Sequence, residues 1–194
     1  MPRTGRRRPL WRACDRRHDQ PWWFSTRTGN PEPGRFDLQR PRGTCYWALS
    51  SATAIIEKIA DPDQDDPPVV SVTALARLVV WRADRVGQAR SKLADTTVAS
   101  IPGLTGELAT IVPDMLAWQW ADAFDAAGHN GILYQARFAR DECVALFGPD
   151  GAPEDAPPAE PTPVLDHYDT LPPGFRAGIG TVGAIKDLTR APPP

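Results

Sequence analysis

Histidine and cysteine are scarce, with three of each in 194 residues. His18, His129 and His167 lie far apart and form no H-x-x-x-H or H-E-x-x-H, so a histidine-built metal site has no basis. Cys14, Cys45 and Cys143 are odd in number and make no C-x-x-C, which excludes a disulfide framework and a zinc knuckle. G-x-S-x-G is missing, and with it the nucleophile elbow of a serine hydrolase. No run approaches the roughly 18 apolar residues of a membrane span. No repeat is visible, which sets aside a solenoid or propeller.

A chain of this length is in the range of one domain and can bury a substantial core. Its apolar fraction, 41%, is slightly below the globular average. The 22 prolines are more than a compact domain carries, and they gather at the two ends and in two loops. A formal charge of −2 gives no support for a nucleic-acid binder as a whole. Charge is unevenly spread, however: residues 3–17 hold seven arginines against one aspartate, and residues 141–175 hold eight acids with no Lys or Arg. The basic start reads as a disordered, solvated leader over residues 1–8, with nucleic-acid or acidic-tail binding as the competing reading. Arg6-Arg7-Arg8 has the look of a twin-arginine signal, but a charge-rich stretch stands where an apolar segment would be required. A cytoplasmic protein with no membrane partner is expected.

Residues 10–13 read as a short strand and Trp22-Trp23-Phe24 as a buried aromatic step. Residues 28–34 form a loop. A strand over 44–49 is followed by Ser50-Ser51, which caps a helix through Ala60. Ala52, Ile55, Ile56 and Ile59 make its apolar face, and Glu57 lies off that face. Residues 61–68 read as an acidic linker without the Gly and spaced ligands of a calcium loop. Residues 71–83 can hold a strand and a helix, or one helix. A strand at 97–101, a helix at 104–112 and a second helix at 115–127 follow. The second has Leu116, Trp120, Ala123 and Phe124 on one side and Gly128 as its stop. Residues 131–136 and 144–147 read as strands. Residues 149–163 have the composition of a flexible Pro/acidic linker. Residues 164–194 are then a C-terminal extension with a frayed end, able to pack back on the domain. The interleaving predicts an α/β or α+β fold. Gly178-Ile179-Gly180-Thr181-Val182-Gly183 spells G-x-G-x-x-G, but only eleven residues follow it, too few for the helix and acid of a Rossmann site.

The functional signal lies in residues 34–57. Gly34-Arg35-Phe36-Asp37 is followed by Gly43-Thr44-Cys45-Tyr46-Trp47-Ala48 and then Glu57, so that Arg35, Tyr46 and Glu57 stand eleven residues apart. Loop, strand and helix thus supply a cation, a flat aromatic and a carboxylate. Such a set can hold a pyrophosphate, stack a nicotinamide and grip a ribose hydroxyl. Taken singly, each has a plainer reading: a surface charge, a core aromatic, and a solvated helix residue beside Lys58.

These blocks resemble the RES-domain family, bacterial toxin enzymes named after an arginine, a glutamate and a serine. Its members pair a GRF(N/D) loop with a G-T-x-Y-x-A strand and a Glu-bearing helix. Gly131-Ile132-Leu133-Tyr134 and Cys143-Val144-Ala145-Leu146-Phe147-Gly148 are similar to the family's late G-I-x-Y strand and A-L-F-G element. Pro21-Trp22-Trp23-Phe24-Ser25 matches more loosely. The resemblance implies a RES-like catalytic domain over residues 9–148, built as a mixed β-sheet flanked by helices and similar to ADP-ribosyltransferase toxins. It implies NAD as substrate, cleaved at the nicotinamide–ribose bond, with phosphate or water as acceptor, no separate cofactor, no metal, and a small protein antitoxin as partner. It places Arg35 and Arg12 on the phosphates, Tyr46 on the nicotinamide and Glu57 on the ribose, with Ser25 as a polar contact beside the ligand. The chain departs from the family at the serine, whose position is Ala136, without a hydroxyl. The alternative is therefore a catalytically degenerate RES-fold protein that acts as a partner- or nucleotide-binding module.

Overall fold

The computed structural model describes residues 9–60, 70–84, 92–97, 115–177 and 179–180. In chain order its elements are β1 (Leu10–Asp15), β2 (Arg42–Ala48), α1 (Ser51–Ile59), β3 (Val70–Ser71), α2 (Val72–Leu75), β4 (Leu78–Ala83), β5 (Leu93–Asp95), α3 (Met115–Ala126), β6 (Gly131–Gln135), β7 (Glu142–Pro149), β8 (Glu160–Pro163), a 3₁₀ helix (Val164–Thr170), α4 (Pro173–Ala177) and β9 (Ile179–Gly180). Seven strands form one sheet in the order β5-β6-β7-β2-β1-β4-β8. Its β5–β6 pair is parallel and the other pairs are antiparallel, so the architecture is α+β around a mixed sheet.

Period-two alternation divides the core in two. Cys45 and Trp47 of β2 join Val144 and Leu146 of β7, Leu10 and Trp22 on one face. Tyr46 and Ala48 join Cys143, Ala145, Phe147, Ile132 and Tyr134 on the other, under α1 and α3. Because both faces are covered, β7 reads as an unbroken apolar run rather than an alternating one. The ladder is weak in one place: β1 meets β2 at the single register Trp11↔Ala48, whereas β1 and β4 pair along six residues.

Helix α1 begins where expected. Ser50 Oγ accepts from Thr53 N–H at 3.1 Å, and Thr53 Oγ1 donates to Asp141 Oδ2 at 2.8 Å, which ties the helix start to the β6–β7 connection. Helix α3 ends at Gly128, whose φ of +79° is the left-handed stop that glycine adopts without penalty. Its buried face keeps the expected Phe124 and Trp120 but turns Leu116 and Ala123 outward, however. Ala117, Ala121 and Phe124 face the core, and Leu116 is 42% exposed. The rotation is set by polar partners: Trp118 Nε1 donates to Gly34 O at 3.0 Å, Asp122 pairs with Arg27 at 2.6 Å and Asp125 with Arg42 at 2.8 Å. Each contact draws the helix toward the loop and β2.

Other differences are equally physical. Within residues 71–83 the helix is the single turn α2, and strand β4 follows it. A strand occurs at Leu93–Asp95, where none was expected, and the strand expected at 97–101 lies almost wholly outside the described residues. Residues 149–163 do not run free as a linker: Trp22 Nε1 donates to Pro157 O at 2.7 Å, Phe24 and Gly151 exchange two backbone hydrogen bonds at 2.9 Å, and β8 closes the sheet edge on β4. Proline is admissible there because an edge strand leaves alternate N–H groups unpaired. The leader 1–8, the acidic stretch 61–68, the helix expected at 104–112 and residues 181–194 lie outside the described residues. No helix among the described residues is long and apolar enough to cross a membrane.

Residues 164–171 are pinned to the core at their two ends. Val164 and Leu171 are 1% and 3% exposed, in the cluster under α1. Leu171→Ala is expected to lower unfolding free energy by about 2–5 kcal/mol in urea titrations, the cost of a buried cavity. An unchanged midpoint would show that this segment is only loosely applied.

Candidate active site

The 34–37 loop is fastened to β2 through one buried carboxylate. Asp37 N–H donates to Gly34 O at 3.1 Å and Gly34 N–H to Asp37 Oδ2 at 2.9 Å, closing a tight turn. Asp37 Oδ1 accepts from Ser25 Oγ at 2.9 Å and from Tyr46 OH at 2.8 Å, and Tyr46 OH accepts from Phe36 N–H at 2.9 Å. Thr44 Oγ1 donates to Phe36 O at 2.7 Å. A fully buried carboxylate demands such donors. A β-carbon at Gly34 would come within 2.6 Å of Tyr46 OH, so glycine is required there for close approach. Burial, and after it the Asp37 charge, push the Tyr46 phenol well above its usual range. Tyr46 is therefore neutral, with its hydroxyl engaged and its ring free to make contacts.

That ring lines a cavity of about 550 Å³, a size usual for a small-molecule site. The cavity opens where β1 and β2 stop pairing, so it takes wall residues from both sheet faces. Trp11, Trp23, Tyr46 and Tyr134 supply aromatic surface, Arg12 and Lys58 positive charge, and Glu57 a carboxylate.

Glu57 is held from behind. Its Oε1 accepts from Phe138 N–H at 2.7 Å and Ala139 N–H at 3.0 Å, and Oε2 from Arg137 N–H at 3.3 Å. Thr53 and Glu57, one turn apart on α1, thus clamp the two ends of the same β6–β7 connection. The backbone donors fix the carboxylate and leave it acceptor capacity toward the cavity.

Arg12 crosses the opening. Its Nη1 donates to Pro21 O at 2.7 Å and lies 2.7 Å from Cys45 Sγ and 3.4 Å from Trp23 O. Arg35 is placed differently. It does not line the cavity; its guanidinium stacks between Phe36 and Tyr134, 5.6 and 5.7 Å from their ring centroids. Its Nη1 is buried without a hydrogen-bond partner, an uncommon state for a guanidinium. Ser25 also stands off the cavity, with its hydroxyl spent on Asp37 and on Thr44 O. Ala136, at the family's serine position, is 2% exposed and outside the cavity wall. The structure therefore gathers Arg12, Tyr46 and Glu57, and sets Arg35 and Ser25 behind them.

Nothing in the pattern of the chain marks Trp11, Lys58 or Cys143 as wall residues. Asp37 closes the Gly34-Arg35-Phe36-Asp37 block, but nothing in the chain shows that it anchors Tyr46. Two thiols, Cys14 and Cys143, also line the cavity. Burial raises both, and Cys143, with Glu57 nearby, is pushed up to about 12. Both shifts favour the protonated thiol at neutral pH. Among the described residues no cluster of His, Cys, Asp and Glu could hold a metal ion.

The family model for the RES domain matches residues 9–166, most of the chain. The chain belongs to the RES-domain family. No curated protein matches it, and no solved structure does.

Two outcomes follow from these hydrogen bonds and burials. Tyr46→Phe leaves Phe36 N–H and Asp37 each short of a partner, and should cost about 1–3 kcal/mol of stability in a urea titration; a neutral substitution would deny Asp37 its anchoring role. The Cys143 thiol, ordinarily near 9.0, titrates near 12 when folded, so above pH 9 the unfolded chain loses a proton that the folded chain keeps. Stability is fully present below pH 9 and falls as pH rises from there. Unfolding titrations across that range should show the decline, and Cys143→Ala should make it shallower.

Proposed function

We propose that this RES-family protein binds NAD in the cavity and cleaves its nicotinamide–ribose bond, as the toxin of a toxin–antitoxin pair. The observation that carries the reading is Glu57, a carboxylate fixed by three backbone N–H groups beside two tyrosine rings and near an arginine. Family membership supports it, and so does a cavity rich in aromatic surface for flat rings.

The chemistry needs little from the protein beyond position and charge. When the C–N bond breaks, its electron pair goes to the ring nitrogen, so the pyridinium leaves as neutral nicotinamide without a general acid. Positive charge develops on the ribose. Glu57 accepts hydrogen bonds from the ribose hydroxyls and stabilises that charge, which it can do without reorganising because its carboxylate is already held. Tyr46 packs the nicotinamide, and Arg12 holds pyrophosphate oxygens. Arg35 supports the Tyr134 wall and can reach a phosphate only if that wall shifts. Water attacking the anomeric carbon loses a proton and yields ADP-ribose; phosphate yields the 1-phosphate of the same sugar. A small protein antitoxin that covers the cavity mouth is the partner this reading calls for, in the cytoplasm.

Ala136 favours a second reading, a RES fold that binds a nucleotide or partner without turnover. The deciding experiment is NAD consumption by the purified chain, with and without inorganic phosphate, beside Glu57→Gln. Wild type should consume NAD, and the variant should be slower by about 10²–10³-fold, the scale of losing one preorganised electrostatic contact. Dependence on phosphate would identify the acceptor. No NAD loss by folded, partner-free wild type would leave the binding module.

A further inference from the structure

Trp22 and Trp23 are neighbours with opposite fates. Trp22 is 3% exposed, with its ring 4.4 Å from that of Trp47 and its Nε1 bonded to Pro157 O. Trp23 is 56% exposed, the most exposed tryptophan among the described residues. Mobility does not account for this. Pro21 O is held by Arg12 at 2.7 Å, Trp22 is anchored in the core, and Phe24 is bonded twice to Gly151. The backbone on both sides of Trp23 is fastened, so the indole is presented from a rigid support at the edge of the cavity. What singles Trp23 out is the place of its exposed ring, on the wall of an aromatic-lined cavity.

The position of Arg12 indicates what that ring receives. Its Nη1 donates to Pro21 O at 2.7 Å and lies 3.4 Å from Trp23 O, at the base of the segment that carries the indole. Arg12 lines the same cavity as the Tyr46 and Trp23 side chains, so one cation and two aromatic stations share that space. Aromatic, cation, aromatic is the complement of a dinucleotide: base, pyrophosphate, base. We infer that Trp23 is the stacking platform for the adenine ring, which makes it the residue that distinguishes a dinucleotide from a nicotinamide mononucleotide. This rests on the reading of the cavity as a NAD site.

Two measurements on the full chain test it: steady-state cleavage of NAD and of nicotinamide mononucleotide, and calorimetric binding of ADP-ribose, which carries the adenine and both phosphates but no nicotinamide. Trp23→Ala should raise KM for NAD and weaken ADP-ribose binding, each by about tenfold, a change of the size one base–aromatic stack produces. Trp23→Phe should recover most of both, and KM for the mononucleotide should not follow. If wild type cleaves NAD and Trp23→Ala matches it in KM and in ADP-ribose binding, the inference is overturned while the proposed function stands; the indole would then be a contact for a protein partner. An equal rise for NAD and the mononucleotide also overturns it, because Trp23 would be shaping the nicotinamide end. If wild type binds ADP-ribose in a Trp23-dependent way yet cleaves nothing, the platform stands and the proposed turnover falls. Binding of neither ligand sinks both.

Discussion

The hydrogen bonds that converge on Asp37 hold the site together. A carboxylate taken wholly out of water is tolerable only when its oxygens are met by donors. Here the donors come from three separate stretches: Gly34 in the loop, Ser25 before it, and Tyr46 on β2. Ser25 and Tyr46 share Oδ1 and Gly34 holds Oδ2, so the one carboxylate locks loop and strand as a unit. The position of the Tyr46 ring on the cavity wall is a consequence of that lock. So is the need for glycine at position 34, where the tyrosine hydroxyl comes too close for a side chain.

The second determinant is an interruption. β1 and β2 share one register and then part, and the cavity lies in the gap. A continuous ladder would have sealed it. Arg12 crosses the opening and holds the Pro21–Trp23 backbone on its far side, while α1 brings Glu57 up from below with its carboxylate already satisfied by the β6–β7 connection. The site is therefore preorganised by backbone hydrogen bonds more than by side-chain pairs. That suits a reaction whose main demand is stabilised positive charge rather than a nucleophile.

Much of this was legible in the chain. The first strand, the Ser50 cap, the Gly128 stop and the strands around Tyr46, Tyr134 and Val144 follow from period and punctuation, because those rules act over a few residues. The readings that failed depend on distant partners. The face of α3 is set by Arg27, Arg42 and Gly34, which lie some eighty to ninety-five residues away in sequence. Residues 149–163 have a linker's composition, yet the edge of β4 and the indole of Trp22 give their backbone something to bind. Arg35 was expected on a phosphate and instead stacks on aromatic rings behind the wall.

By itself, the sequence determined the residue types that matter, their order, the local elements that carry them and the family to which the chain belongs. These are properties of short stretches and of their spacing. The tertiary structure alone decided which of those residues share a cavity. It put Arg12 on the wall and Arg35 behind it, spent the Ser25 hydroxyl on Asp37, and left Trp23 exposed beside a buried Trp22. The reason is that burial and hydrogen-bond satisfaction are settled across the whole fold: a side chain reaches the site only if no closer partner claims it first.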